Sequence, residues 1–345
     1  MNRPFVYGYL AEKENFIDRE EDRRQLKNFL GHGINVMLIS PRRWGKSSLV
    51  KMAMGELMAE DHDVKVCYID AFKVRTEEDF YNKYATAVID GVFDIQPLKK
   101  SAEDILDLPE RIAREKGIHV IVCIDEFQQL ALLPEWKTME SLMRSVWQHH
   151  QHANYCLYGS KRHMMMDIFN NSNSPFYRFG QVLFMKKIEK KHWIPYIQQG
   201  FEKTSKAISA AFAERICEVT ECHSWYVQQL SFFIWADTIG EVDEDIFNRQ
   251  LQTLIDTNAP QFESDITGLA PSQLSMLVAI ASGEQHLSAK EVVSKYGLGG
   301  AQTIAKNKKA IVSKDIVELQ PDGTYHFVDP IFFLWFKQQY NINQS

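Results

Sequence analysis

The chain has 345 residues, with 39 Lys plus Arg against 45 Asp plus Glu and a formal net charge of −6. That length corresponds to about two to three domains, and a chain of this size buries roughly three quarters of its unfolded surface without disulfide or metal staples. With 45% apolar and 24% charged residues, intrinsic disorder and collagen-like repetition are excluded. The mild acidity argues against a protein that coats nucleic acid by bulk charge and leaves room for a local basic face.

The longest uncharged apolar runs, Val120–Ile124 and Ile331–Phe336, are far too short for a membrane span. The opening residues Met1–Leu10 lack an apolar core followed by a small-residue cleavage site, so no signal peptide is expected. Five scattered cysteines without a CxxC pair (Cys67, Cys123, Cys156, Cys217, Cys222) are expected to be buried reduced thiols of a cytosolic protein.

From the start to about residue 195, short β-rich apolar runs alternate with helical patterns. The runs are Ile34–Ile39, Val64–Ile69, His119–Ile124, Tyr155–Tyr158 and Val182–Met185. Near-continuous apolar strands separated by helices predict a parallel sheet covered on both faces, an α/β domain. From about 196 to 266 the strands stop. Ser205–Val219, Trp225–Ile239 and Asp243–Asp256 carry apolar residues at three- and four-residue spacing, which predicts a helical unit. Ala259–Glu263 is expected to be a linker.

The remainder, 267–345, starts with a helix over Pro271–Ala281 and a short helix opened by Ser288 and Glu291 at capping-box spacing. After Gly299 and Gly300 comes a helix over Ala301–Ser313. Ile316–Gln320 and Tyr325–Val328, joined by Pro321-Asp-Gly-Thr324, predict a hairpin. Three helices followed by a hairpin is the winged-helix order. No repeats or low-complexity tracts are visible.

The first predicted strand runs into Ser40-Pro41-Arg42-Arg43-Trp44-Gly45-Lys46-Ser47-Ser48, with a helix expected from Leu49. This is similar to the P-loop pattern GxxxxGK[ST], with Ser40 in place of the first Gly, in the required strand–loop–helix setting. Gly45 lets the backbone approach a phosphate, and the amides after it lie at a helix N-terminus that favours an anion. Lys46 would reach β- and γ-phosphates, and the Ser47 hydroxyl would bind Mg2+. Downstream, His119–Ile124 ends in Asp125 and Glu126. A buried strand delivering two adjacent carboxylates is the Walker B arrangement, in which Asp125 holds the Mg2+ shell and Glu126 polarises the attacking water. Ser160, after the strand Tyr155–Tyr158, suits a γ-phosphate sensor. Asp70 ends another strand and is expected to cap the next helix. Lys161, Arg162, His163 and Arg178 are candidate γ-phosphate or neighbour-subunit cations, or plain surface residues. His223 begins a helix and could face phosphate.

Together these pieces resemble the archaeal-type ATPase family within the AAA+/STAND P-loop NTPases. The resemblance is carried by Phe16–Glu20, Pro41–Leu49, Ile124–Gln128, Gly159–Met165, Pro175–Arg178, Trp225–Leu230 and Asp329–Trp335. It implies a P-loop AAA+-like parallel-sheet core (1–195), a helical lid (196–266) and a C-terminal winged helix (267–345). It also implies that Arg19 lies near the adenine, that Ser160 takes the sensor position, and that Arg178 matches an arginine many relatives carry before the last core strand. Relatives often have a helix-starting Pro where this chain has Ser224. Some carry a nuclease-like domain after the winged helix, and none is expected here.

In a winged helix, Ala301–Ser313 is the element that would enter a major groove. Lys306, Lys308, Lys309 and Lys314 could contact phosphates, with Gln302 and Asn307 as base readers; equally, they could form a solvated face on a protein-contact domain. The aromatic residues Phe332, Phe333, Trp335 and Phe336 are expected to be core packing. The expected function is a cytosolic Mg2+-dependent ATPase in which ATP binding between core and lid switches lid and winged helix, with duplex DNA, protein partners or self-association as candidate outputs. The alternative is a nucleotide-gated DNA- or protein-binding regulator with negligible turnover.

Overall fold

The computed structural model describes residues 3–9, 16–92, 101–320 and 322–342. Pro321 of the expected hairpin turn lies outside them. The chain divides into two compact units, one formed by residues 10–186 and the other by 1–9 with 187–345.

The first unit runs α1 (Glu20–Gly31), β1 (Val36–Ile39), α2 (Lys46–Glu60), β2 (Val64–Asp70), α3 (Glu77–Val92), α4 (Ala102–Leu106), α5 (Leu108–Lys116), β3 (His119–Asp125), α6 (Trp136–Trp147), β4 (Ala153–Gly159), α7 (Arg162–Phe169) and β5 (Gln181–Phe184). The five strands form one parallel sheet in the order β2-β3-β4-β1-β5. Alternate residues of each strand feed two separate cores. Met37, Ile39, Val120, Val122, Ile124, Tyr155 and Leu157 belong to one. Val36, Leu38, Ile121, Cys123, Cys156 and Tyr158 belong to the other, under α1 and α2. Burial on both faces is why β1, β3 and β4 read as unbroken apolar runs, while the edge strand β5 is only partly buried. The expected α/β core is therefore present.

Helix α2 begins at Lys46, three residues earlier than the sequence suggested. Gly45 is its N-cap at φ 88°, and Leu49 N–H already donates to the Gly45 carbonyl at 2.9 Å. Ser40 is absent from the left-handed residues of the loop, which are Arg43 (φ 63°) and Gly45. The residue in the first-glycine position therefore needs no glycine.

The second unit contains α8 (Lys190–Glu202), α9 (Ala210–Val219), α10 (Ser224–Asp237), α11 (Glu244–Thr267), α12 (Pro271–Ala281), α13 (Lys290–Tyr296), α14 (Ala301–Ser313), β6 (Val317–Leu319), β7 (Tyr325–Phe327) and α15 (Pro330–Gln339). Strands β6 and β7 pair antiparallel, as the hairpin required. Residues 3–9 pack here: Phe5 fills a notch at Gly200, where an added Cβ would lie 2.5 Å from its ring, and Val6 N–H donates to Gln228 Oε1 at 3.1 Å.

Three local expectations are corrected. Ala259–Glu263 is not a linker, because α11 runs straight through it with Pro260 inside. Phe262, buried, packs edge-on to Phe332 and against Trp335 of α15, and that burial outweighs the backbone bond the proline cannot make. The helix expected from Ser205 starts only at Ala210, with Ser209 capping Phe212 N–H at 3.2 Å. Ser288 caps nothing: the N-cap of α13 is Ala289. The aromatic residues of α15 are core, as expected, with Phe332, Trp335 and Phe336 all buried.

A buried carboxylate staples the entry to β4. Glu110 of α5 accepts from Gln151, His152 and Ala153 N–H at 3.0, 2.8 and 2.9 Å, and its Oε1 lies 2.8 Å from His152 Nδ1. Burial alone would raise its pKa, but the His152 contact and the three amides outweigh it and hold it below its ordinary 4.5. A depressed carboxylate stabilises fully above about pH 4.5 and loses that contribution as pH falls through the lowered value. Glu110→Ala should therefore cost about 2–4 kcal/mol at pH 7. Urea denaturation at pH 7 and pH 3 checks this: the gap between wild type and variant should narrow at the lower pH, and an equal gap at both would contradict it.

Candidate active site

In a parallel sheet of this kind, ligands bind outside the carboxyl ends of the strands, where the strand order reverses. Here β1 is followed in sequence by strands on one side of it and by β5 on the other. The loop after β1, the Asp125–Glu126 pair at the end of β3 and Ser160 after β4 all converge at that edge. β4 lies between β1 and β3, so its last residues stand between the loop and the two carboxylates.

Lys46 is buried, and its Nζ lies 2.6 Å from Asp125 Oδ1 and 3.2 Å from Glu126 Oε1. It also sits over the Tyr158 ring at 5.0 Å from the centroid. Ser47 Oγ donates to Asp125 Oδ2 at 2.6 Å, and Ser160 Oγ donates to Glu126 Oε2 at 2.8 Å. Glu126 takes a left-handed backbone (φ 50°) where β3 turns into a 3-10 helix over Phe127–Leu132. Burial pushes the Glu126 carboxyl up, but the Lys46 charge and the hydrogen bonds from Gln128, Ser160 and Lys46 prevail and leave it below its ordinary value.

The sequence assigned no role to Gln128, Tyr158 or Gly159, all of which meet these groups. Gln128 Nε2 donates to Glu126 Oε2 at 2.5 Å. Two adjacent glutamines, Gln128 and Gln129, follow the acidic pair and Phe127, and nothing local separates the one that turns inward from its neighbour.

Ser47 Oγ and Asp125 Oδ2, hard oxygen donors 2.6 Å apart beside the loop, fit a cation such as Mg2+, which takes few protein ligands. The amides of Lys46, Ser47 and Ser48, in the first turn of α2, have the orientation that favours an anion. Arg42 and Arg43 are exposed on the loop, Pro41 and Trp44 are half-buried, and Ser48 is buried.

The other expected site residues lie outside the hydrogen-bonded cluster of Lys46, Asp125 and Glu126. The Arg19 guanidinium is buried and donates to Lys186 O at 2.8 Å, to Trp44 O at 3.1 Å and to Asp22 at 2.9 Å. It braces the phosphate loop against the exit of β5. Arg178 does not join Lys46 within its own chain. It precedes β5, whose first residue Gln181 aligns with Val36 at the start of β1, whereas the loop follows the other end, where Ile39 aligns with Phe184. Its side chain is exposed and stacks on Tyr177. His223 belongs to the second unit as the buried N-cap of α10, its ring 4.7 Å from that of Tyr226. Asp70 caps Phe72 N–H at 3.0 Å, as expected.

On α14, Lys306 and Lys309 are exposed and share a face with Gln302. Lys308 is half-buried over the Tyr325 ring, and Lys314 donates to Gly268 O at 3.0 Å. Asn307 is buried, which removes it as a base reader because it faces the domain core. Among the described residues, no helix is long and apolar enough to cross a membrane.

Arg19→Ala would leave the Trp44 and Lys186 carbonyls without their buried donor. We expect a loss of about 2–4 kcal/mol in chemical denaturation, and an unchanged midpoint would contradict the bracing role.

Comparison with known proteins agrees with this arrangement. Residues 16–230 match the model of an ATPase domain predominantly from Archaea. Residues 260–338 match that of a "probable winged helix domain". No curated protein sequence matches. Among solved structures, the chain is similar in fold to the Walker-type ATPase PABY2304 of Pyrococcus abyssi (18% identity, TM-score 0.78, covering 97% of this chain and 99% of that one). It is also similar to the Aeropyrum pernix ORC2 protein in its ADPNP–ADP complexes (16% identity, TM-score 0.68, covering 99% and 97%). The Aeropyrum pernix ORC1 protein in complex with DNA is a more distant likeness (13% identity, TM-score 0.54, covering 96% and 95%). The chain belongs to the archaeal-type ATPase family and is a nucleotide-binding P-loop ATPase with a C-terminal winged helix.

Proposed function

We propose that this cytosolic ATPase hydrolyses Mg·ATP at the Lys46–Asp125–Glu126 cluster, and that the nucleotide state sets the disposition of lid and winged helix on duplex DNA. The observation that carries the reading is the buried Lys46 ammonium held between the two carboxylates at 2.6 and 3.2 Å.

In this reading the loop residues 41–48 bind the nucleotide. The amides at the start of α2 bind phosphate oxygens, and Lys46 exchanges the carboxylates for β- and γ-phosphate. Ser47 and Asp125 would hold Mg2+, which, when bound, neutralises charge on the phosphates. Glu126, freed from Lys46, orients and deprotonates the attacking water through Oε1 while Ser160 keeps Oε2 engaged. Ser160, on the strand between loop and carboxylates, reports γ-phosphate through that same bond. Arg178, at the sheet edge away from the loop, acts on a neighbouring copy, which makes self-association part of the reading. His223, at the start of α10, is the residue of the lid that responds to nucleotide.

DNA enters through α14. The exposed Lys306, Lys309 and Gln302 on one face support contact with phosphate and one base edge. Lys308 and Lys314, already engaged within the domain, are secondary. The distant likeness to a protein solved in complex with DNA supports the same reading.

The test combines two variants. Glu126→Gln should lower steady-state turnover by about 100-fold or more and increase the ATP retained on the protein. Lys306→Glu with Lys309→Glu should leave basal turnover intact and weaken duplex binding, lowering the slope of log affinity against log salt by about two. Wild-type turnover in Glu126→Gln would remove Glu126 as base. Unchanged duplex binding in the double variant would turn the search toward protein partners.

A further inference from the structure

We infer that Gln128 is a positioning residue for catalysis: its amide ties down one oxygen of the Glu126 carboxylate so that the other faces the phosphate loop. This role rests on Glu126 acting as the base.

Glu126 lies on a left-handed turn, with its own carbonyl accepting from Gln129 N–H at 2.8 Å. Nothing in that backbone fixes the carboxylate plane. The fixing comes from two donors on different elements, both aimed at Oε2: Gln128 Nε2 at 2.5 Å and Ser160 Oγ at 2.8 Å. Oε1 points to Lys46 at 3.2 Å. A serine hydroxyl can swing to other acceptors, whereas the Gln128 side chain is locked. It is 0% exposed, and a Cβ built on Gly159 would lie 1.9 Å from its Oε1. The backbone of β4 thus closes against the amide, and only glycine at 159 allows it. The orientation of the amide is also forced, because an ionised carboxylate only accepts and must face the NH2 group.

The cost of this arrangement is visible. Gln128 Oε1 is buried without a hydrogen-bond donor among the described residues. An apolar side chain of the same shape would avoid that unsatisfied group. The amide is therefore explained by what its Nε2 holds and not by packing. The neighbouring Phe127, ringed by Trp136, Phe169 and Phe176, supplies the anchoring of this turn in the core.

The test uses the full chain and Gln128→Met, which keeps length and removes both polar atoms. The readouts are Tm, affinity for a fluorescent ADP analogue, and kcat and KM for Mg·ATP. We expect Tm no lower than wild type, analogue affinity and KM within about two-fold, and kcat lower by about ten-fold or more. In a Glu126→Gln background, single-turnover decay of bound ATP should not slow further when Gln128→Met is added, because the residue acts only through that carboxylate. Gly159→Ala, which drives the amide aside, should give the same kcat-only loss and serves if Gln128→Met fails to fold. Unchanged kcat in both variants, or an equal further loss in the Glu126→Gln background, overturns the positioning role. These outcomes are distinct from failure of the base itself, which would show as wild-type turnover in Glu126→Gln alone.

Discussion

A buried ammonium cannot stand alone, and the first unit of this protein is arranged around that constraint. Lys46 begins α2 at the carboxyl end of β1, and the charges that balance it arrive two strands away at the end of β3. The parallel register brings Asp125 and Glu126 level with the loop. The glycine at 45 turns the chain so that the lysine enters the same pocket as the first helical amides. Ser47 and Ser160 close the network by donating to the two carboxylates. A group that must be paired when buried is also one that a polyphosphate of higher charge density can take over.

The two-sided burial of the sheet makes this geometry rigid. Each strand supplies alternate residues to two cores, so a shift of one residue would invert the packing. The site therefore sits on strand ends that cannot slide. Arg19 extends this rigidity to the loop, bonding the Trp44 carbonyl and the Lys186 carbonyl at once. In the second unit a comparable role falls to α11, whose Phe262 locks the aromatic face of α15 and whose course replaces the linker expected at Ala259–Glu263.

Much of this was legible in the sequence because the signals were local. An apolar strand followed by Gly45-Lys46-Ser47, another followed by Asp125-Glu126, and the helix–hairpin order after 270 each depend on neighbouring residues. What escaped depended on tertiary packing. Pro260 looks like a break until Phe262 is seen buried; Asn307 looks like a base reader until its face is known to point inward. The bracing role of Arg19 shows only once its carbonyl partners, Trp44 and Lys186, lie beside it. Gln128 was invisible for the same reason: its meaning lies in Gly159, which is distant in sequence and in contact only once β4 lies beside β3.

The most direct test of the central claim is a crystal structure of the full chain with Mg2+ and a non-hydrolysable ATP analogue. The account predicts that Lys46 Nζ leaves Asp125 and Glu126 for the β- and γ-phosphates, that Ser47 and Asp125 turn to the metal, and that Glu126 keeps its bonds from Gln128 and Ser160. A bound nucleotide with Lys46 still paired to both carboxylates would contradict it.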